Sequence, residues 1–106
     1  MQRDPEILDS VPAALLRLTE TGVVLFANRA AGRFLRCAPA LLVGRHYADL
    51  VEDRSRAREL LATRDVGRVE RRLVQRFCLD NGDANWGIAM FGGVEADHTR
   101  WVRLEP

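Results

Sequence analysis

Two histidines, two cysteines and one tyrosine are the side chains in this sequence best suited to chemistry: His46, His98, Cys37, Cys78 and Tyr47. An imidazole can serve as the axial ligand of a haem iron, given a pocket and a stably held nitrogen. A thiol can form a flavin adduct or, in clusters, hold zinc. Cys37 and Cys78 show no Cys-x-x-Cys spacing, so neither a disulfide framework nor a zinc site is expected. Tyr47 with Asp49 is the only loose acid–base candidate, of the kind a small cystatin-like α+β isomerase or hydrolase would need facing a deep pocket. No Ser/His/Asp group and no paired carboxylate with a defined partner is present. Gly92-Gly93 lacks the helix start that a phosphate loop requires. The expectation is therefore a protein that is not an enzyme and holds no metal.

Bulk properties narrow the class further. The chain has 106 residues, enough for one domain with one core. It is 47% hydrophobic and 29% charged, the balance of a globular protein. Sixteen cations, all Arg, meet fifteen anions, and the net charge of +1 lacks the basic excess of a nucleic-acid binder. No apolar run approaches the roughly 20 residues of a membrane helix. The first residues, Met1 to Pro5, do not have a signal-peptide layout. Together these features are read as a cytoplasmic location, with no direct nucleic-acid or membrane partner.

The elements that must position these side chains follow from local signals. Asp4-Pro5 opens a short helix, a capping residue followed by Pro at the first helical position, and Val11-Pro12 ends it. Residues 13–19 and 23–27 read as a hairpin turning at Thr21-Gly22, where Gly22 supplies dihedral freedom. Asn28 is placed to cap a helix carrying Ala30, Ala31, Phe34 and Leu35 at helical spacing. Ala38-Pro39 starts a short turn or helix ending near Gly44, and Tyr47, Leu50 and Val51 form an apolar stripe. Asp53 is the expected cap of a helix running to about residue 64, with Ala57, Leu60 and Leu61 on its apolar side. A long strand over 69–79, a type I′ turn at Asn81-Gly82, a return strand over 84–91 and a last strand over 99–104 complete the chain. Strands at both ends with helices between them argue an α+β fold with one antiparallel sheet. The expected division is a flanking helix over 1–12 and one domain over 13–106.

In this order the segments resemble the PAS family: Ile7 to Pro12, Thr21 to Ala31, Gly44-Arg45 before Tyr47 to Val51, Glu52-Asp53-Arg54, and Asn81-Gly82 followed by Trp86. Asn28 looks like the family's Asn after the second strand, with a ligand contact as the rarer alternative to its capping role. The resemblance implies a five-stranded antiparallel sheet covered on one face by short helices. It also implies a sensory role: many members hold a cofactor or small ligand between sheet and helices, feed a kinase, cyclase or transcription factor, and dimerise.

Phe34, Tyr47, Leu60, Leu73, Trp86 and Met90 are expected near the space between sheet and helices, as ordinary core or as an apolar ligand pocket. Gly22 and Gly82 are expected to act only in turns. No cofactor is expected. Haem-binding members carry their His on the long helix, where Ala57 is close to the corresponding position and His46 lies before it. The sequence around Cys37 lacks the Asn-Cys-Arg-Phe-Leu-Gln motif of blue-light members. A haem- or flavin-loaded gas, redox or light sensor is the alternative reading. The hairpin is apolar on both faces, Val23 and Leu25 against Val24 and Phe26, and one of them needs a cover. Ile7, Leu8, Val11 and Trp101 are the residues expected to supply it in a homodimer, with the N-terminal helix of the same chain as the rival cover.

Overall fold

A computed structural model describes residues 11–63, 70–79 and 82–106. The first hairpin pairs β1 (Ala14–Thr19) with β2 (Val24–Ala27). β1 buries Ala14, Leu16 and Leu18 and leaves Leu15, Arg17 and Thr19 half-buried, the period of two that a one-sided sheet demands. Then come α1 (Arg29–Leu35), α2 (Pro39–Leu42), a 3₁₀ turn (Tyr47–Leu50) and α3 (Arg54–Ala62). Three strands follow, β3 (Arg71–Cys78), β4 (Ala84–Phe91) and β5 (Thr99–Glu105). All pair antiparallel in one five-stranded sheet of order β2-β1-β5-β4-β3. The α+β architecture is the one expected, and the long helix ends at Ala62, short of residue 64.

The helices cover one face of the sheet. Leu16, Leu18, Val24, Phe77, Phe91 and Val102 from the strands pack there against Ala31, Leu35, Leu50 and Ala57. Between them the chain crosses from one sheet edge to the other. At the β2 edge, Val24 N donates to Arg45 O at 2.8 Å and Gly44 N donates to Val24 O at 2.8 Å. At the β3 edge, Glu52 N donates to Arg76 O at 2.9 Å, and Val51 bridges Phe77. The segment 44–52 is thus a strap pinned at both ends, and Tyr47 hangs inward from its middle, fully buried.

The strand faces correct two expectations. Trp86 and Met90 share a face of β4, but it is the face away from the helices. Trp86 is 66% exposed, and Met90 pairs with exposed Arg72 and Arg103. The residues turned toward the helices are Gly87, Ala89 and Phe91. The physical reason is clearance at position 87: a Cβ on Gly87 would lie 2.7 Å from Phe34 Cζ and 2.8 Å from Glu105 O, so a glycine takes the inner position there and Trp86 next to it goes outward. Val11 and Pro12 are not helical. The rest of the expected N-terminal helix, with Ile7 and Leu8, lies outside the described residues, as does Asn81.

Gly22 answers to two constraints at once. Its φ of 106° lies in the region that side chains disfavour, and a Cβ would stand 2.7 Å from Leu61 Cδ1 and 3.0 Å from His46. Gly22→Ala should therefore destabilise the fold by more than about 1 kcal/mol. A urea midpoint equal to wild type would contradict this.

Candidate functional site

Asn28 is fully buried where β2 ends and α1 begins. Its Oδ1 accepts from Ala31 N at 3.0 Å, the cap of α1, and also from Leu15 N at 2.9 Å. Its Nδ2 donates to Ala13 O at 2.8 Å. The side chain is more than a helix cap: it ties the helix start to the strand next to it. Asp53 caps α3 in the simpler way, Oδ1 accepting from Arg56 N at 3.2 Å.

The space between sheet and helices is filled by an aromatic group. Tyr47 meets Phe91 edge-on at 5.0 Å and Phe77 at 6.4 Å, and Phe34 meets Phe77 at 5.3 Å. Leu73 is buried beside them on β3, and Leu60 packs at the margin. Of the residues expected here, Phe34, Tyr47, Leu60 and Leu73 are on the helix side, and Trp86 and Met90 are on the other. Two polar residues join the group without having been singled out in the sequence. Gln75 is buried, and its Oε1 accepts from Tyr47 Oη at 2.6 Å. Arg100 is buried under the end of α3, with Nη2 donating to Thr63 O at 3.2 Å. Strand alternation is the signal that could have found both, since Gln75 sits between Leu73 and Phe77 and Arg100 precedes Val102 and Leu104 on the inner face.

The residues suited to redox and metal chemistry are engaged elsewhere. His46 Nδ1 accepts from Ala48 N at 3.1 Å, so it carries no proton, and Nε2 donates to Thr21 O at 2.7 Å. With both nitrogens committed to backbone, His46 does not fit an axial haem ligand. His98 lies on the surface, 3.3 Å from Glu20. Cys37 is buried and its thiol faces Ala38 O at 3.6 Å, while Cys78 is exposed on the outer face of β3. Tyr47 points into the core and Asp49 out to Arg54, so the two do not form an acid–base pair. Among the described residues no cluster of three or more His, Cys, Asp or Glu could hold a metal.

On the outer face Arg17 lies 4.6 Å over the Trp101 ring and pairs with Glu95 at 3.2 Å and Asp97 at 2.8 Å. Phe26 meets the same indole edge-on at 6.5 Å. The Thr99 hydroxyl, and then Arg17, bring the Asp97 carboxyl down to about 2.

Asn28→Ala leaves the Leu15 N–H and the Ala13 carbonyl without this partner as well as uncapping α1. The cost should be roughly 2–4 kcal/mol, above the ~1 kcal/mol of an exposed cap. Chemical denaturation will measure it, and a loss no larger than an exposed cap's would reduce Asn28 to that role. Burial pushes the Tyr47 phenol well above its ordinary 10.0. The folded state therefore favours the neutral phenol, and this stability is complete below pH 10.0 and lost as pH rises beyond it. With one tyrosine in the chain, the tyrosinate absorbance band reports on this group alone. The tyrosinate band should appear only together with unfolding, and Tyr47→Phe should blunt the alkaline loss. Reversible ionisation near pH 10 in the intact fold would show the phenol to be accessible.

A family model described as PAS fold matches residues 8–87. No curated protein matches the chain. Among solved structures, the PAS domain of an HTR-like protein from Haloarcula marismortui is 12% identical, with a TM-score of 0.80 over 96% of this chain and 91% of that one. A domain of a sensory box sensor histidine kinase/response regulator from Geobacter sulfurreducens is 13% identical, with a TM-score of 0.79 over 95% and 89%. The photoactive yellow protein domain from the sensor histidine kinase Ppr of Rhodospirillum centenum is 14% identical, with a TM-score of 0.73 over 98% and 94%. At these identities the structures speak for the fold. The sequence match over most of the chain, on a sheet and helical layer of this order, shows that the protein belongs to the PAS fold family.

Proposed function

We propose that this chain is a sensory and interaction module of a signal-transduction or transcription-regulatory protein. On this reading it pairs with a second copy and passes a ligand- or partner-dependent change to an effector such as a kinase. The observation that carries the pairing is the outer face of the sheet. Trp86 is 66% exposed and Val74 63% exposed, beside half-buried Leu15, Phe26, Ile88 and Trp101. Sheets with one solvated face ordinarily place polar residues there. Val74 and Ile88 are cross-strand partners next to Trp86, and large apolar side chains this exposed, set among Arg72, Arg76 and Arg103, support an interaction site. A second copy suits it because a twofold axis lets the same patch meet itself. Of the dimer residues expected from sequence, Trp101 lies on this face and Val11 is half-buried, and Ile7 and Leu8 fall outside the described residues. Two of the similar structures named above come from sensor histidine kinases, which supports a kinase as the effector.

The same reading has the module working without haem or a flavin adduct. The commitments of His46 and the setting of Cys37 support this, and the separation of Tyr47 from Asp49 supports a role outside catalysis. Native mass spectrometry tests both parts. Wild type should fly as two chains, and a Val74→Glu, Trp86→Glu double variant as one, with unchanged circular dichroism. A wild type that stays a single chain at high micromolar concentration would refute the pairing. A co-purifying haem or flavin mass would refute the cofactor-free reading.

A further inference from the structure

We infer that the uncovered stretch of the β3 edge takes an extended peptide of another protein as an added strand, one with an acidic residue two positions from an apolar one. The site is the lateral edge of the sheet, so it stands or falls apart from the pairing of two copies proposed above. β3 is an edge strand, with β4 on one side only. Its last part is covered: Glu52 N donates to Arg76 O at 2.9 Å, and Val51 bridges Phe77. The chain then leaves the edge, because α3 begins at Arg54. The bond from Glu52 fixes which backbone groups remain. Residues of an antiparallel pair alternate between those bonded to the partner strand and those turned away from it. Arg76 is turned away from β4, so Val74 and Arg72, two and four residues before it, are turned away too. Among the described residues nothing bonds to the amides and carbonyls of Arg72 and Val74 on that side.

There is room beside them. A groove runs between α3 and β3, lined by Arg56, Leu60, Thr63, Arg72 and Leu73. A strand added antiparallel there exchanges main-chain hydrogen bonds with Arg72 and Val74, and its side chains alternate between the faces. Those opposite Arg72 and Val74 lie on the outer face, and the one between them lies over Leu73, on the side of Leu60. Arg72 is exposed and forms no ion pair among the described residues. Arg76, diagonal to the place opposite Val74, pairs with exposed Glu52 at 3.5 Å, a contact that a second carboxylate can share. Asp53 and Glu59 at α3 and Glu70 before β3 keep a carboxylate out of the rest of the groove. A carboxylate opposite Arg72 and an apolar side chain opposite Val74 are therefore the cross-strand partners this edge favours. A second copy is the poorer occupant: two such edges set arginine against arginine, directly or on the diagonal.

Hydrogen exchange followed by ¹⁵N nuclear magnetic resonance of the full 106-residue chain tests this with the capped peptide Thr-Thr-Val-Val-Glu-Thr-Thr and its counterpart with Lys for Glu. The Glu peptide should slow exchange at the Arg72 and Val74 amides and leave those of Leu73 and Gln75, already bonded to β4, as they are. At low salt it should bind about tenfold more tightly than the Lys peptide. Arg72→Glu should reverse the preference. Val74→Pro removes an edge amide without costing a bond to β4, and should abolish binding of both peptides. If Val74→Pro does not fold, a peptide with Pro in place of its first Val takes over that role and should not bind. Unchanged exchange at Arg72 and Val74 with either peptide overturns the added strand. Equal affinities of the Glu and Lys peptides overturn the acidic partner. Protection of the same amides that grows with protein concentration alone overturns the peptide in favour of a second copy.

Discussion

The strap over residues 44–52 is the constraint on which the other parts of the fold rest. Its two ends are hydrogen-bonded to strands at opposite edges of the sheet, Val24 on β2 and Arg76 on β3. A sheet edge leaves backbone donors and acceptors unpaired, and here one segment answers part of that need on both sides. Bridging the edges forces the strap across the concave face, so its middle residue must be large and apolar in body, and Tyr47 is both. His46 steadies the β2 end by clasping the Thr21 carbonyl and the Ala48 amide. The helices then close over what the strap has already partitioned.

Asn28 complements the strap at the other junction of sheet and helices. Three hydrogen bonds of one carboxamide join the start of α1 to β1 and the residue before it, so the helix cannot tilt without disturbing the strand. The two faces of the sheet diverge for a related reason. The Phe34 ring leaves room only for a glycine at position 87 on the inner side of β4, beside Ala89 and Phe91, while Trp86 and Ile88 project outside. The inner side is thereby specialised for tight packing and the outer side for contact with another surface.

Much of this was legible in the sequence. Cap residues announced themselves because Asn and Asp satisfy exposed amides at helix starts, and Gly22 because a tight turn needs positive φ. The strands emerged from their period of two. What the period cannot supply is absolute direction: Trp86, Ile88 and Met90 share a face whichever way β4 is turned, and Gly87, Ala89 and Phe91 are apolar enough to be either side. Hydrophobic size favoured the wrong choice, because the inner face is set by clearance beneath Phe34. Gln75 and Arg100 escaped notice for the opposite reason. Alternation puts Gln75 on the face of Leu73 and Phe77, but a polar residue there gains a role only through its partner, and the partners of the two, Tyr47 and the Thr63 carbonyl, come from distant segments.

The position of β5 has a consequence for the order in which the molecule can assemble. It lies between β1 and β4, so within the sheet it is the strand that joins the β1–β2 hairpin to the β3–β4 hairpin. Until it docks there are two separate ribbons, and two-stranded ribbons are marginal in water. Its pairing with β1 closes a loop that runs nearly the length of the chain, from Leu16 to Val102. Contacts so distant in sequence slow the search for the native state. Closing that loop is a long-range step of folding, and on the ribosome the sheet stays incomplete until residues 99–105 have emerged.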